Sequence, residues 1–269
     1  MFEKTLIPVA YGESPEELRK VGRILVKLGA QSICLFHVSE GGSFFRGSDL
    51  SWLMLLKETL EDTGLAVEVK LGNDHVASAI AEAALLEGVD EIYMKTKRRW
   101  HIETVFLGSV SRDLLRLTDV PVFVHKIRPR LPGEEGKLNR EDLVVLYATD
   151  LDEVSYRPLP YVREIKGGWC HVLHVRGWMA DPAAELRREK KVASELDSLR
   201  EELSPYYRRV TTEQKKGDPA TEVLQVSSRI NADIIVIGKK QKSSFFPNLL
   251  GRTAERIVAS SNASIFLVP

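Results

Sequence analysis

Asp233-Ile234-Ile235-Val236-Ile237-Gly238 is a short apolar run that an acidic residue opens and a glycine closes. A related run, Asp90-Glu91-Ile92-Tyr93-Met94, stands 143 residues earlier in the chain. Apolar runs of this length between turn residues are typical of strands that are buried on both faces. The sequence therefore predicts the same strand of a parallel sheet twice.

Further matches at a nearly constant spacing extend this pair into an internal repeat. Leu107-Gly108 matches Leu250-Gly251, and residues 122–124 match 265–267, both again 143 residues apart. Upstream, Leu35-Phe36-His37-Val38 matches Val172-Leu173-His174-Val175 at a spacing of 137. A constant spacing across two strands and a glycine indicates duplication, with a few residues inserted in the second copy.

The 269 residues are enough for two domains of ordinary size. We expect one domain over residues 1–127 and a second over 140–269. The stretch between them, 128–139, is predicted to be a linker because it holds prolines and glycines among charged residues.

Each copy alternates apolar runs with helical patterns, which predicts an α/β fold: two tandem, doubly wound, open parallel sheets of five strands. Ser14-Pro15 and Asp218-Pro219 predict helix starts, as Asp74 does, and Gly29 predicts a helix end. A charged helix over 185–202 is predicted to bury Leu186, Val192, Leu196 and Leu199. The predicted strands are 5–10, 32–38, 67–71, 91–94 and 120–125, then 143–148, 170–175, 207–211, 234–237 and 264–268.

Composition narrows the classes of function. The formal net charge is zero, which argues against general attraction to nucleic acid or to an anionic membrane. No run of about 20 apolar residues and no secretory segment is seen, so we expect a cytoplasmic protein. The two cysteines, Cys34 and Cys170, predict neither a disulfide framework nor a zinc site and are expected to be buried apolar residues.

The residues after the fourth strand of each copy resemble the nucleotide loop of the universal stress protein family, written G-x2-G-x9-G-[ST]. In the second copy the register gives Gly238, Gln241, Gly251 and Arg252, so two of the three glycines are kept and the hydroxyl residue is replaced. The family also carries an aspartate at the end of its first strand, and Asp150 matches it.

The first copy departs from the family pattern in different places. Its register gives Lys95, Arg98, Gly108 and Ser109, with Ser111 two residues on, and Ala10 stands where the family has aspartate. It keeps the hydroxyls but lacks the aspartate and both early glycines. The second copy is therefore expected to be the better nucleotide site.

The resemblance implies a Rossmann-like fold whose copies pack as a pseudo-dimer through the last strands, 121–125 and 264–268, with a homodimer as a further expectation. It also implies binding of an adenine nucleotide (ATP, ADP or AMP), with no metal apart from a Mg²⁺ that accompanies ATP. The implied site residues are Asp150, Val175, Gly238, Lys239, Lys240, Gln241, Gly251, Arg252 and Thr253, and in the first copy Gly108, Ser109 and Ser111.

Physical chemistry explains this residue choice. Glycines let backbone N–H groups approach phosphate oxygens closely, and the following helix directs its free N–H groups and positive dipole end at the same anion.

The loops are also basic, and two interpretations stay open: the cations replace lost backbone contacts, or they are solvated. Aromatic residues in the loops either stack on a base or pack the loop onto the domain. The loop residues concerned are Lys95, Lys97, Arg98, Arg99 and Trp100, and Lys239, Lys240, Lys242, Phe245, Phe246 and Arg252.

No enzyme motif is recognised: there is no Walker A sequence, nucleophile elbow or His-Glu-x-x-His. His37 and His174, at matching positions, are expected to be core or strand-end histidines, with a metal site between the copies as the alternative. Two functions stand: a nucleotide-binding stress or signalling module, and a partner-binding or structural module whose nucleotide sites have decayed.

Overall fold

The computed structural model describes residues 2–39, 47–73, 75–96, 108–126, 142–152, 156–178, 180–239 and 250–269, with the backbone alone at 47–49. These residues divide into two compact units, one holding those up to Met94 with 108–123 and the other holding the rest. The predicted linker, 128–139, falls outside the described residues.

The first copy alternates strand and helix from its start. Its sheet order is β3-β2-β1-β4-β5, and β1 pairs in parallel with both β2 and β4, so the first strand is central. The elements are β1 Lys4–Pro8, α1 Pro15–Leu28, β2 Ser32–Val38, α2 Gly47–Glu61, β3 Ala66–Gly72, α3 Val76–Leu86, β4 Glu91–Thr96, α4 Ser109–Leu117 and β5 Val122–Lys126.

The second copy repeats this architecture in the order β10-β9-β6-β7-β8, with β6 paired in parallel to β7 and β9. Its elements are β6 Val144–Ala148, α5 Leu159–Ile165, β7 Trp169–Arg176, α6 Pro182–Leu203, β8 Arg209–Lys216, α7 Pro219–Arg229, β9 Ile234–Gly238, α8 Arg252–Ser260 and β10 Ser264–Val268. The predicted fold class, two tandem five-stranded α/β domains, is confirmed.

Local signals set most of the helix ends. The Ser14 hydroxyl accepts a hydrogen bond from the Glu17 N–H, and Gly29 ends α1 at φ 107°, where a side chain is disfavoured. Asp218 likewise accepts from the Thr221 N–H over 3.0 Å. The prediction for α3 was wrong: its N-cap is His75, without a side-chain cap bond, and Asp74 lies outside the described residues.

The core consists of the strands and one stripe of each helix. Cys34 and Cys170 are fully buried, as predicted, and burial raises the pKa of the Cys34 thiol to about 11. On α6 the buried stripe is Val192, Leu196, Leu199 and Leu203. Leu186 was predicted to join it but is 55% exposed, because a residue six positions before Val192 lies about 120° around the helix from this stripe.

β3 and β8, each at one end of the strand order of its copy, are the most exposed strands. Lys70 of β3 pairs with Glu87 at 2.9 Å and lies 4.0 Å from Glu68. On β8, Glu213 pairs with Arg229, and Lys215 pairs with Glu222 at 2.8 Å. Charge of this kind is a common feature of edge strands.

Candidate functional site

The candidate site of the second copy lies where the chain changes direction across its sheet. β6 is central: the chain leaves it for β7 on one side and returns to β9 on the other. In open α/β sheets, ligands bind at the carboxyl ends of the strands beside this switch point. Asp150 follows β6 by two residues and Gly238 is the last residue of β9, so strand pairing brings these two predicted site residues to the same crevice.

The loop after β6 is held through one residue, Thr149. Its N–H donates to the Leu173 carbonyl over 3.0 Å, and its hydroxyl accepts from the Leu151 N–H over 3.1 Å. Leu151 adopts φ 60°, a left-handed conformation that is uncommon for a leucine. Asp150 is exposed. It lies between Thr149, which is held by hydrogen bonds, and Leu151, whose backbone conformation is constrained.

A third contact to Thr149 comes from His174 of β7. His174 Nδ1 lies 2.9 Å from the Thr149 carbonyl oxygen, and the ring is 5% exposed. In the first copy His37 Nδ1 lies 2.9 Å from the Val9 carbonyl oxygen. The prediction of strand-end histidines is confirmed, but the sequence did not predict their partners; the matching positions were the available signal.

The start of α8 is the side of the site where the sequence predicts a phosphate. Because β9 and β10 are parallel, the helix between them runs back and its N-terminus lies at the carboxyl edge of the sheet. Gly251 is the N-cap, with φ −60° and no side-chain cap bond, and a Cβ built on it would meet no described atom within 4 Å. Neither backbone conformation nor packing within the described residues requires glycine here. Arg252 and Thr253, the first residues of the helix, are exposed.

The first residue after β9, at the start of the loop that leads to α8, is a buried lysine. Lys239 is 1% exposed, and its N–H donates to the Val268 carbonyl over 2.6 Å. Of the two interpretations of the basic loop residues, solvation is therefore wrong for Lys239. Other predicted loop residues lie outside the described residues: Lys240, Gln241, Lys242, Phe245 and Phe246.

The end of β7 supplies a cation that the sequence did not single out. Val175 is 8% exposed, and Arg176, which follows it, is 3% exposed. The Arg176 guanidinium contacts Glu185, and also Glu189 at 2.9 Å, both on α6. Hydrogen bonding from Lys216 and then the charge of Arg176 lower the pKa of Glu185. Arg176 is thus committed to holding α6 rather than to a phosphate group.

The first copy presents the same frame with different side chains. Gly108 caps α4 at φ −59°, again with no described atom within 4 Å of an added Cβ, and Ser109 is exposed while Ser111 is half-buried. At the other end of the crevice, Ala10 provides no acceptor side chain. Tyr11 instead packs on Trp52 of α2 at 5.4 Å between ring centroids. Of the basic and aromatic loop residues, Lys95 is half-buried and the others lie outside the described residues: Lys97, Arg98, Arg99 and Trp100.

A chain of hydroxyl, imidazole and carboxylate, which the sequence did not reveal, lies on β7 and β8. His171 Nδ1 is 2.7 Å from Thr211 Oγ1, and its Nε2 is 3.0 Å from Glu213 Oε2. Burial lowers the pKa of His171 despite the opposing effect of Glu213. The Trp169 indole donates to the same hydroxyl over 2.7 Å and Arg229 pairs with the carboxylate, so both ends of the chain are engaged in holding the edge strand.

Two classes of feature are absent from the described part of the chain. No group of three or more His, Cys, Asp or Glu side chains is arranged to hold a metal ion. No described helix is long and apolar enough to cross a membrane.

Comparison with known proteins agrees with this architecture. A model of the universal stress protein family matches residues 1–126 and 142–269. A universal stress protein of Methanocaldococcus jannaschii is 25% identical over 158 residues, which cover 47% of this chain and 96% of that protein. A solved universal stress protein of Archaeoglobus fulgidus covers 100% of this chain and 98% of its own, at 22% identity and a TM-score of 0.74. A second solved structure, of a putative universal stress protein of Pseudomonas aeruginosa, covers 99% and 92% at 16% identity and a TM-score of 0.71. At these identities the two structures indicate the fold alone.

Proposed function

The chain belongs to the universal stress protein family, and on this premise we propose that its second copy binds an adenine nucleotide as a stress or signalling module, without significant turnover. ATP, ADP and AMP are the candidate ligands. The observation that carries the proposal is the start of α8: an N-cap glycine at the carboxyl edge of the sheet, where an added Cβ would meet no described atom within 4 Å.

An anion is the ligand that suits this helix start. The first N–H groups of a helix have no intrahelical acceptor, and Gly251, the N-cap of α8, has no side chain that could accept from them. The helix dipole adds a partial positive charge at the same point. Arg252 contributes a full positive charge in place of the neutral hydroxyl donor of the family motif, which strengthens attraction to a phosphate group.

An adenosine group suits the other end of the crevice. Asp150 is an exposed acceptor beside the end of β6, next to the strand that ends in Gly238. Carboxylates accept hydrogen bonds from ribose hydroxyls and from amino groups. The first copy offers Ala10 at this point, so we propose that it binds nucleotide weakly or holds an isolated anion through Ser109, Ser111 and the α4 N-terminus.

Calorimetric titration of two glycine variants tests the proposal. Gly251→Ala and Gly108→Ala each add a methyl group to an N-cap that has room for it and a permitted φ, so both should fold with a similar small loss of stability. We expect Gly251→Ala to weaken the binding of ATP, ADP and AMP by about tenfold or more, because the methyl group would occupy space that the phosphate needs. Gly108→Ala should leave the affinities unchanged. Equal losses in both variants, or none in Gly251→Ala, would contradict the assignment.

Partner binding is the second candidate function, and one observation favours it. The outer face of α2 exposes Leu50, Met54 and Leu55, each between 42% and 51% exposed. The matching helix of the second copy, α6, is instead rich in arginine and lysine over 187–191. A wild-type protein that binds no adenine nucleotide in the titration would favour this candidate.

A further inference from the structure

We propose that His174 is the positioning residue of the nucleotide site: it fixes the Thr149 carbonyl and thereby sets the direction in which Asp150 presents its carboxylate. The inference rests on the proposed function, because it assigns a role to a side chain beside the same site. His174 does not itself have to touch the ligand.

The direction of the hydrogen bond follows from its acceptor. A carbonyl oxygen only accepts, so the proton of this contact belongs to His174 Nδ1, 2.9 Å away. The carbonyl of Thr149 is part of the peptide unit that links it to Asp150. Holding this oxygen therefore holds the orientation of the Asp150 N–H and the path of its Cα.

The other polar groups of Thr149 are also engaged in hydrogen bonds. Its N–H bonds to Leu173 on β7 and its hydroxyl accepts from Leu151. Leu151 keeps φ 60° only while its surroundings impose that conformation. Without the His174 contact, the peptide before Asp150 loses this hydrogen bond at its carbonyl, and the loop can relax toward an ordinary backbone conformation.

Stability alone does not account for the histidine. With its proton on Nδ1, the imidazole carries an acceptor at Nε2, and this buried atom has no hydrogen-bond partner in the described structure. A buried acceptor without a partner destabilises the fold. A residue that donates to Thr149 and leaves no such atom would serve folding better, so the contact fits a role in shaping the site.

The first copy supplies a natural control. His37 makes the same contact with Val9 and packs edge-on against Trp52, with ring centroids 5.6 Å apart, but the residue that follows Val9 is Ala10. The tie is present there, and the carboxylate that it would orient is absent. Removing it should disturb the first copy without changing nucleotide affinity.

The experiment is a double-mutant cycle on the full-length chain, with AMP affinity measured by calorimetry. His174→Leu should weaken AMP binding about three- to tenfold, which corresponds to the loss of one ordinary hydrogen bond. His174→Asn should restore most of the affinity, since its side-chain amide reaches the position of Nδ1. In an Asp150→Ala background, His174→Leu should have no further effect, because nothing is left to orient. His37→Leu should leave AMP affinity at the wild-type value.

Each contrary outcome has a distinct meaning. If His174→Leu weakens AMP equally in the Asp150→Ala background, or if His37→Leu weakens it as much, the positioning role is wrong while the proposed function stands. If Asp150→Ala itself has no effect in a protein that binds AMP, the adenosine side of the proposed function fails. Should His174→Leu not fold, His174→Gln takes its place, because its amide lies one carbon beyond the Nδ1 position.

Discussion

The Thr5 hydroxyl donates a hydrogen bond to Glu91 Oε1 across 2.9 Å, inside the sheet of the first copy, where the two residues are register partners on β1 and β4. The corresponding partners in the second copy are Val145 and Ile234. Glu91 is 1% exposed, and its second oxygen has no hydrogen-bond partner in the described structure. Duplication thus left one copy with a carboxyl group where the other has a hydrocarbon.

This carboxyl group predicts an unusual pH dependence of stability. Burial raises the pKa of Glu91 from 4.5 to about 8, so the unfolded chain releases this proton well before the folded chain does. The contribution of Glu91 to the free energy of unfolding should be complete below about pH 4.5, fall as the pH rises, and be lost above about pH 8. The loss should be on the order of 3–5 kcal/mol.

Urea unfolding between pH 5 and pH 8 measures this effect. Glu91→Gln keeps an acceptor for Thr5 and cannot ionise, so it should lack the decline and be the more stable protein at pH 8. Glu68→Gln, on an exposed carboxylate of β3, should behave as the wild type. Parallel pH profiles for wild type and Glu91→Gln would show that Glu91 does not titrate in this range.

The two sides of the proposed nucleotide site should respond differently to mutation. Asp150→Ala should weaken AMP binding by about tenfold while leaving inorganic phosphate binding unchanged, because the proposal assigns this carboxylate to the adenosine group. Arg252→Ala should weaken the binding of both ligands. This loss of affinity should be smaller at the higher salt concentration, because salt screens the charge of Arg252. Calorimetry at two salt concentrations gives these values, and Asp152→Ala, in the same loop, is the control. Unchanged AMP affinity in both variants would remove both residues from the site.

The first copy should contribute little to nucleotide affinity. A Ser109→Ala and Ser111→Ala double variant removes the two hydroxyls at the start of α4, one exposed and one half-buried. We expect less than a twofold change in AMP affinity, because Ala10 leaves this copy without its adenosine acceptor. Loss of most of the affinity would instead place the stronger site in the first copy.

The last strand of each copy is predicted to be covered. β10 is buried along its whole length and ends its sheet order, as β5 ends the other. Apolar strands in such a position invite strand pairing. Native-state hydrogen exchange should therefore find the amides of both strands protected, and rapid exchange along either would contradict the prediction. Light scattering on the full-length chain tests the expected homodimer.

Strands that are buried on both faces were predictable from sequence, whereas edge strands were less so. β2 and β10 begin and end where the apolar runs predicted. β8 was predicted at 207–211 and is found at Arg209–Lys216. Tyr207, which began the predicted run, lies before the strand, where its hydroxyl donates to the Val162 carbonyl over 2.6 Å. The residues that continue β8 are mostly polar, because they face neighbouring charges rather than a second layer of hydrocarbon.

For the candidate site, the sequence predicted which residues meet but not how they are held. Asp150 and Gly238 were placed at strand ends by pattern, and the pairing of β6 with β9 brings those ends together. The ties of His174 to Thr149, and of Arg176 to α6, join residues whose side chains carry no local signal of their partners. Such contacts depend on tertiary register, which becomes visible only when strands from distant parts of the chain are aligned.

The charged edge strands have a consequence for behaviour at high protein concentration. An exposed backbone edge is a template on which another chain can add a strand, and repeated addition leads to aggregation. Desolvating the paired charges of β8, Glu213 with Arg229 and Lys215 with Glu222, would oppose such addition. The pairing of Lys70 with Glu87 has the same effect on β3. These residues act as gatekeepers, and neutral substitutions there should lower the solubility of the chain before they lower its stability.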